Sequence, residues 1–383
     1  MDFKLTEEQE LLQSSFREFA KQHIEPNAAK WDAEDTCPAE LMPLMGGLGI
    51  LGIFVPEEYG GVGLSHLERS LAIVEIARYS AGVAMLVYTH QLAVAALLEF
   101  GSDEQKKKYL PGLCDGTKIG AFGSTEPGGG SDLAGVKTSA AKDGENWIVN
   151  GRKCFITNSH LADVCIVNAR IGEDEKGRGL FNAFILEKGM DGFSPGREEK
   201  KLGLKGSVTG ELIMNKASVP ACNVLGVEGK GNAIAGKLFG EVGRPSMAAL
   251  CVGLLRGCLE ESVKFANERV LYGKPLSKIP AIQFAIAENR MDYEVASLLL
   301  YNAVALKDQG LPSGAECSMA KLFCTEAAVR AAKRTIGLMG GYGIIDEYPV
   351  GRFLRDAVAS IPSGGTSEIQ NIIIAGETLK KFS

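Results

Sequence analysis

"WIVNGRKCFIT", residues 147–157, interrupts a chain that otherwise reads as helix. Its Trp, Ile, Val, Phe and Thr favour strands, and they flank the dipeptide Asn150–Gly151. Asn-Gly between two such runs is a hairpin signal, so the stretch predicts a turn joining "WIV" to "KCFIT". Short Val-, Ile- and Phe-rich runs punctuated by Gly, Asn and Pro continue through "DVCIVNARI", "FNAFILEK" and "GELIMNKASVP". Residues 116–228 are therefore expected to form a small antiparallel sheet domain and not a βαβ array.

On either side the pattern is helical. In residues 1–115, Thr6 and Gln9 form a T-x-x-Q capping box, and Leu12, Phe16 and Phe19 follow on one face. "LERSLAIVEIARYSAGVAMLVYTHQLAVAALLEFG" predicts buried helix, and "SDEQKKKYLP" a capped, solvated one. In residues 229–383, Arg244-Pro245 is expected to start a helix running to about Leu271, with Pro in the first turn. A second is expected over about 279–308, a third from an S-x-x-E box at Ser313 and Glu316, and a last after Thr366. The expected fold is mainly α with a central β domain.

Composition narrows the function classes. A chain of 383 residues is long enough for two or three packed subdomains. The net charge of −6 and the lack of a long Lys/Arg run argue against nucleic-acid or anionic-membrane partners. The first residues have neither signal- nor transit-peptide character, and no apolar run is read as reaching the ~18–20 residues of a membrane span, so the cytoplasm is the expectation. Nine cysteines without a CxxC pair, and four scattered His, point to neither a disulfide framework nor a metal site.

Four stretches could carry chemistry. In "FGSTEPGGGSDLAG" (122–135) the glycines let backbone N–H groups approach a ligand and Ser124, Thr125 and Ser131 add hydroxyls, though a plain Gly-rich turn would read alike. It is neither a P-loop nor a Rossmann fingerprint. In "GRKCFITNS" (151–159) Phe155 offers a stacking face, and Thr157 a hydroxyl two residues on, on the same side of a strand; a core strand would look the same. In "NERVLYGKPL" (267–276) Arg269 could grip a phosphate or lie in solvent. "GLMGGYGIIDEYPVGRFLRDA" (337–357) is a glycine turn followed by a helix.

Taken in order, "TEPGGGSD", "FITN", "ER-x-x-YGK", "GGYG", "EYPVGRFLRDA" and "GTSEIQ" resemble the acyl-CoA dehydrogenase family of flavoproteins. "PEEYGGVGL" (56–64), "GSDEQKKKYLP" (101–111) and "KLGLKGS" (201–207) extend the resemblance over essentially the whole chain. It implies a helical domain, a β domain and a C-terminal four-helix bundle, usually assembled as a homotetramer. It also implies FAD, an acyl-CoA substrate and an electron-transferring flavoprotein as acceptor. By the same resemblance Phe122, Ser124, Thr125, Gly130 and Ser131 line the isoalloxazine or ribityl chain, and Phe155 and Thr157 lie beside the ring. Arg269 and Tyr272 reach a neighbour's FAD, and Gly341, Thr366 and Glu368 complete the site. Two positions depart from the family: Pro280 and Gly337 stand where Gln is often found.

The larger departure is in "IPSGGTSEIQ" (361–370). The common family motif, Tyr-Glu-Gly-Thr-Ser, carries the carboxylate that takes the Cα proton; here the slot is Gly364. The minority slot, just before the Arg of Arg-Pro, is Gly243. Glu241 lies about 200° round an α-helix from that slot and is expected to meet the CoA arm or Arg244. The wall "LVYTHQLA" (86–93) then offers Tyr88 and His90. His90 is the candidate relocated proton acceptor, or else a structural pocket residue. Tyr88, Ser131, Glu241, Arg244 and Gly364 are the expected substrate contacts, and the glycines would clear room for a cyclic or branched acyl group. Two alternatives stand beside this: an enoyl-CoA reductase, because "SGG-x-x-E" resembles crotonobetainyl-CoA reductases, and a non-catalytic flavoprotein or scaffold.

Overall fold

The computed structural model describes residues 4–383. Among these, the chain opens with helices α1 (Glu7–Phe19), α2 (Ala28–Glu34), α3 (Leu41–Gly47), α4 (His66–Ala77), α5 (Ala81–Phe100) and α6 (Asp103–Cys114). Strands β1 (Gly120–Gly123), β2 (Ser139–Asp143), β3 (Asn146–Thr157), β4 (Val164–Glu173), β5 (Gly179–Glu187), β6 (Phe193–Glu198), β7 (Thr209–Pro220) and β8 (Val224–Leu225) follow. Then come α7 (Gly231–Leu238), α8 (Arg244–Glu268), a ribbon of β9 (Val270–Leu271) and β10 (Lys274–Pro275), α9 (Pro280–Asp308), α10 (Gly314–Met339), α11 (Val350–Ser360) and α12 (Ser367–Phe382).

Local chemistry explains most helix starts. Reciprocal capping boxes form at Thr6/Gln9, Ser65/Glu68 and Ser102/Gln105, each satisfying two otherwise orphaned N–H groups. The expected box at Ser313/Glu316 does not form: Ser313 makes no cap, and its hydroxyl instead accepts the Cys317 thiol. α5 is buried along nearly its whole length. By length and composition α5 and the continuous run Gly231–Glu268 could each cross a membrane, contrary to expectation; 89% and 83% of their apolar windows are buried inside the fold, so the protein core takes the place of lipid.

α8 does not begin afresh at Arg244. A single π turn, Phe239–Gly243, joins it to α7, and this widened turn accommodates Pro245, which has no N–H to donate backwards. α8 stops at Glu268, short of the expected Leu271, because Arg269 turns extended and starts the β ribbon. Tyr272 and Gly273, at φ 54° and 73°, form that ribbon's two-residue turn.

The strands form one eight-stranded sheet in the order β6-β7-β3-β2-β4-β5-β8, with β1 beside β4. Two pairings, β1–β4 and β2–β4, are parallel, so the sheet is not wholly antiparallel as expected. The hairpin prediction at Asn150–Gly151 is also corrected. β3 runs straight through it, and the dipeptide is a bulge in the pairing with β7. Gly151 has φ 154°, a Cβ there would lie 2.3 Å from the Thr138 hydroxyl, and Asn150 Oδ1 accepts the Lys216 N–H at 2.8 Å. The β2–β3 turn is Gly144–Glu145 instead, between paired Asp143 and Asn146, with Gly144 at φ 59°.

The loop between β6 and β7 locks the sheet to both helical parts. A Cβ on Gly82 of α5 would lie 1.7 Å from the Lys205 carbonyl oxygen, and one on Gly203 would lie 2.2 Å from that of Arg355 in α11. The Leu204 N–H donates to buried Asp356 of α11 at 2.6 Å. The backbones of three regions thus meet at glycine contacts. This junction adjoins the start of α5, which carries Tyr88 and His90 further along.

Candidate active site

The Gly-rich loop is held open by a residue that motif reading passed over. Glu126 is buried and accepts the N–H groups of Lys137 (2.7 Å) and Thr138 (2.9 Å) and the Lys153 ammonium (2.8 Å). Lys153, fully buried on β3, also donates to the Ser124 carbonyl at 3.3 Å. Both ends of the loop are thereby tied to one ion pair, and the Cys154 N–H bonds the Thr125 carbonyl at 2.9 Å. Burial pushes the Glu126 carboxyl up, but Lys153 and the Thr138 and Lys137 donors prevail and hold it below its ordinary value. Burial pulls Lys153 down as well; the charged pair persists because Glu126 carries two further donors. The signal in the sequence was a lone Lys amid strand formers, which a buried strand admits only with a counter-charge.

Between those ends the loop folds back on itself, with Glu126 and Gly129 exchanging two backbone hydrogen bonds at 3.2 and 3.0 Å. Nothing lies within 4 Å of a Cβ built at Gly128 or Gly129, whereas one built at Gly130 would lie 3.0 Å from the Thr125 hydroxyl. The Ser124 hydroxyl is buried without a partner, while Ser131 is exposed. Phe122 is nearly buried, its ring edge-on to Phe239 at 5.4 Å, so it forms floor and not an open lining. Phe155 is 64% exposed at φ 57°, and Thr157 is buried. The expectation that the two share a strand face fails, because a register shift between Lys153 and Ile156 breaks the alternation at Phe155. A bulky residue held at positive φ with its ring in solvent is backbone strain of the kind found at ligand sites.

The remaining positions cluster at the far end of the bundle and on its last helix. The Arg269 guanidinium lies over the Tyr342 ring at 5.2 Å, next to the open turn containing Gly341. Tyr272 is 93% exposed. Thr366 caps α12 by accepting the Ile369 N–H, and Glu368 is exposed in its first turn, where the helix start holds its carboxyl below the ordinary value. Gly337 lies inside α10 and Pro280 at the first position of α9.

The proton-acceptor expectation is corrected. His90 is fully buried: Nε2 donates to the Leu113 carbonyl at 3.0 Å and Nδ1 accepts the Gly120 N–H at 3.1 Å. Both nitrogens are spent on backbone, and burial pulls the imidazole down to about 4. His90 is a structural bracket between α5, α6 and β1. Its neighbour one half-turn back is placed differently. A Cβ built at Gly243 would lie 3.2 Å from the Tyr88 hydroxyl, and one at Gly364 would lie 3.7 Å from it. The phenol therefore occupies the space between both vacant carboxylate positions. Gly364 and Gly365 have φ 68° and 96°, so this loop adopts a backbone that side chains disfavour. Glu241 does not meet Arg244: it pairs with Lys307 at 2.9 Å, since the π turn replaces the α-helical rotation assumed for it. Arg244 is left half-buried with an unpartnered Nε.

Three models of the acyl-CoA dehydrogenase family match consecutive parts of the chain: the N-terminal domain over residues 6–117, the middle domain over 121–217 and the C-terminal domain over 229–379. The chain belongs to the acyl-CoA dehydrogenase family. An acyl-CoA dehydrogenase of Bacillus subtilis is 42% identical over 372 residues, covering 97% of this chain and 98% of its own. The structure of butyryl-CoA dehydrogenase from Megasphaera elsdenii superposes with a TM-score of 0.96 at 37% identity, covering 99% of this chain and 100% of that one. A chain in a structure titled for the electron transferring flavoprotein of Acidaminococcus fermentans gives the same values. This acyl-CoA dehydrogenase is accordingly an oxidoreductase acting on the CH–CH bond of a CoA thioester. Its family consists of flavoproteins, and its residues fit a flavin: a buried Ser124 hydroxyl lacks a partner, the 128–129 backbone is open, and Phe155 presents an uncovered ring.

Proposed function

We propose that this acyl-CoA dehydrogenase binds FAD between the 122–131 loop, Phe155, Thr157 and the start of α12, and that Tyr88 takes the Cα proton in place of the usual carboxylate. The observation that carries this is the Tyr88 hydroxyl lying against both vacant acid positions, at 3.2 and 3.7 Å from the Cβ sites of residues 243 and 364. When bound, FAD supplies the acceptor for the Cβ hydride. The Cα–H electron pair becomes the new C=C bond, and the proton passes to the Tyr88 oxygen as phenolate. Arg69 and Arg244 favour that phenolate; burial opposes it and prevails, so the phenol sits above its ordinary value. Only the ionised fraction accepts a proton, and turnover rises with pH.

Gly243 and Gly364 bring no side chain of their own beside the Tyr88 hydroxyl, which supports a branched or cyclic acyl group. Exposed Tyr272 on the ribbon, and Phe284 and Met291 on α9, support a homotetramer, because a monomer would leave these apolar side chains in water. An electron-transferring flavoprotein as acceptor and a cytoplasmic location complete the reading. The test is anaerobic mixing of the flavin-loaded protein with linear, branched and cyclic acyl-CoAs. Bleaching of the flavin band by at least one of them is expected. If every acyl-CoA leaves the band intact while an enoyl-CoA reoxidises the chemically reduced protein, the oxidative reading is wrong.

A further inference from the structure

Arg69 of α4 is completely buried, yet Nε and Nη1 have no hydrogen-bond partner, and Nη2 reaches only the Val242 carbonyl at 3.5 Å. The side chain otherwise lies 5.7 Å from the centre of the Phe54 ring. No salt bridge to Arg69 or to Arg244 forms among the described residues. The carboxylates nearest in charge to Arg69 are committed elsewhere. Asp308 accepts the His66 and Leu67 N–H groups at 2.9 and 3.1 Å, and Glu99 pairs with Lys237 at 2.9 Å. Burial pulls the guanidinium down to about 10, so it keeps its charge at neutral pH. A second cation, Arg244, has a buried Nε without a partner, and a third, Lys321, donates to the Ile361 carbonyl at the start of the Gly364 loop. The Val242 carbonyl that Arg69 approaches precedes Gly243, whose Cβ position lies 3.2 Å from the Tyr88 hydroxyl, and both arginines act on that phenol through their charge.

The pocket wall thus contains buried guanidinium groups to which no carboxylate is directly paired among the described residues, in a chain that has glycine at both positions where the family can place a carboxylate. An isolated buried guanidinium is costly unless something pairs with it. We propose that the partner comes with the substrate: the acyl group carries a terminal carboxylate, and Arg69 grips it through Nε and Nη1, with Arg244 behind. The planar fork of Arg matches a carboxylate with two parallel N–H bonds. The substrate class is then the mono-CoA thioesters of dicarboxylic acids. Arg69 is a specificity-determining residue, and the missing protein carboxylate removes a group that would repel this substrate. The inference rests on the acyl-CoA reading above and specifies its acyl group.

The test uses thioethers, which lack the carbonyl needed to lose a Cα proton and so bind without turnover. Dissociation constants of S-(3-carboxypropyl)-, S-(4-carboxybutyl)- and S-(5-carboxypentyl)-CoA are measured by calorimetry on the flavin-loaded protein, against S-alkyl-CoA thioethers of equal length. At least one carboxylate is expected to bind about tenfold or more tighter than its neutral match, the scale of charge-assisted hydrogen bonds. In Arg69→Met that ratio should fall to about one, and Arg69→Lys should keep part of it; flavin content reports whether each variant folds. A wild-type ratio at or below one for every length overturns the proposal without any variant, as does a ratio undiminished in Arg69→Met. Failure of neutral and carboxylated thioethers alike to bind would overturn the acyl-CoA reading, and this proposal with it.

Discussion

A Tyr88→Phe protein is expected to bleach its flavin about 10²–10⁴-fold more slowly than wild type with the same acyl-CoA, the usual contribution of a positioned proton-transfer group. It should keep its flavin, its stability and its affinity for the thioester. The argument starts from packing. The Tyr88 ring is buried in the main core, but its hydroxyl makes no hydrogen bond among the described residues and faces the space beside Gly243 and Gly364. Removing that oxygen orphans no donor or acceptor, so stability should change by less than about 1 kcal/mol. The rate should change greatly, because no carboxylate stands at either acid position and His90 has both nitrogens bonded to backbone. A slowing below about tenfold at saturating substrate would remove Tyr88 from proton transfer; a rise in KM with kcat intact would make it a binding residue only.

The second large effect is on the fold. Glu126→Ala is expected to cost about 3–5 kcal/mol, because it leaves the Lys153 ammonium buried and unpaired and also orphans the Lys137 and Thr138 N–H groups. The 126–138 loop should loosen at both ends, so flavin content should fall together with the urea midpoint. The pH dependence follows from the sign of the shift. Glu126 sits below its ordinary value when folded, so its stabilisation is present above the unfolded carboxyl value of about 4.3. It is lost as pH falls through the lower, folded value. The stability gap between wild type and Glu126→Ala should therefore be full at neutral pH and close under more acid conditions. A gap under about 1 kcal/mol at pH 7 would mean that the ion pair does not hold the loop.

The helix–sheet–helix order was legible because it rests on local chemistry: capped starts at Thr6 and Ser102, strand-forming runs from Trp147 onward, and Pro245 in the first turn of α8. What was not legible depended on neighbours distant in sequence. Asn150–Gly151 has the composition of a turn, but Thr138 presses against Gly151 and Lys216 claims the Asn150 side chain, so the pair became a bulge within one long strand. Phe155 and Thr157 have the spacing of one strand face, and a register shift separates them. His90 has the right chemistry for a base; only the positions of Leu113 and Gly120 reveal that it is already spoken for. The vacancy at Gly364 could be read from the motif, but the phenol that fills it arrives from α5, nearly three hundred residues earlier in the chain. The unpaired charge of Arg69 likewise emerges only when burial and partners are known together.

The central claim is that a phenol, and not a carboxylate or an imidazole, takes the proton. Besides burial, the groups that set its titration are Arg69 from α4 and Arg244 from α8, and Arg244 in turn is coupled by charge to Cys317 and Lys321 of α10. Burial outweighs the two guanidinium groups and keeps the phenol protonated over the neutral range. The most direct measurement is the limiting rate of anaerobic flavin bleaching by a saturating acyl-CoA from about pH 6 to about pH 9. The account predicts a rise of about tenfold per pH unit across that interval with no plateau. A rate that has levelled off by about pH 7, as a carboxylate or histidine acceptor would give, would contradict it.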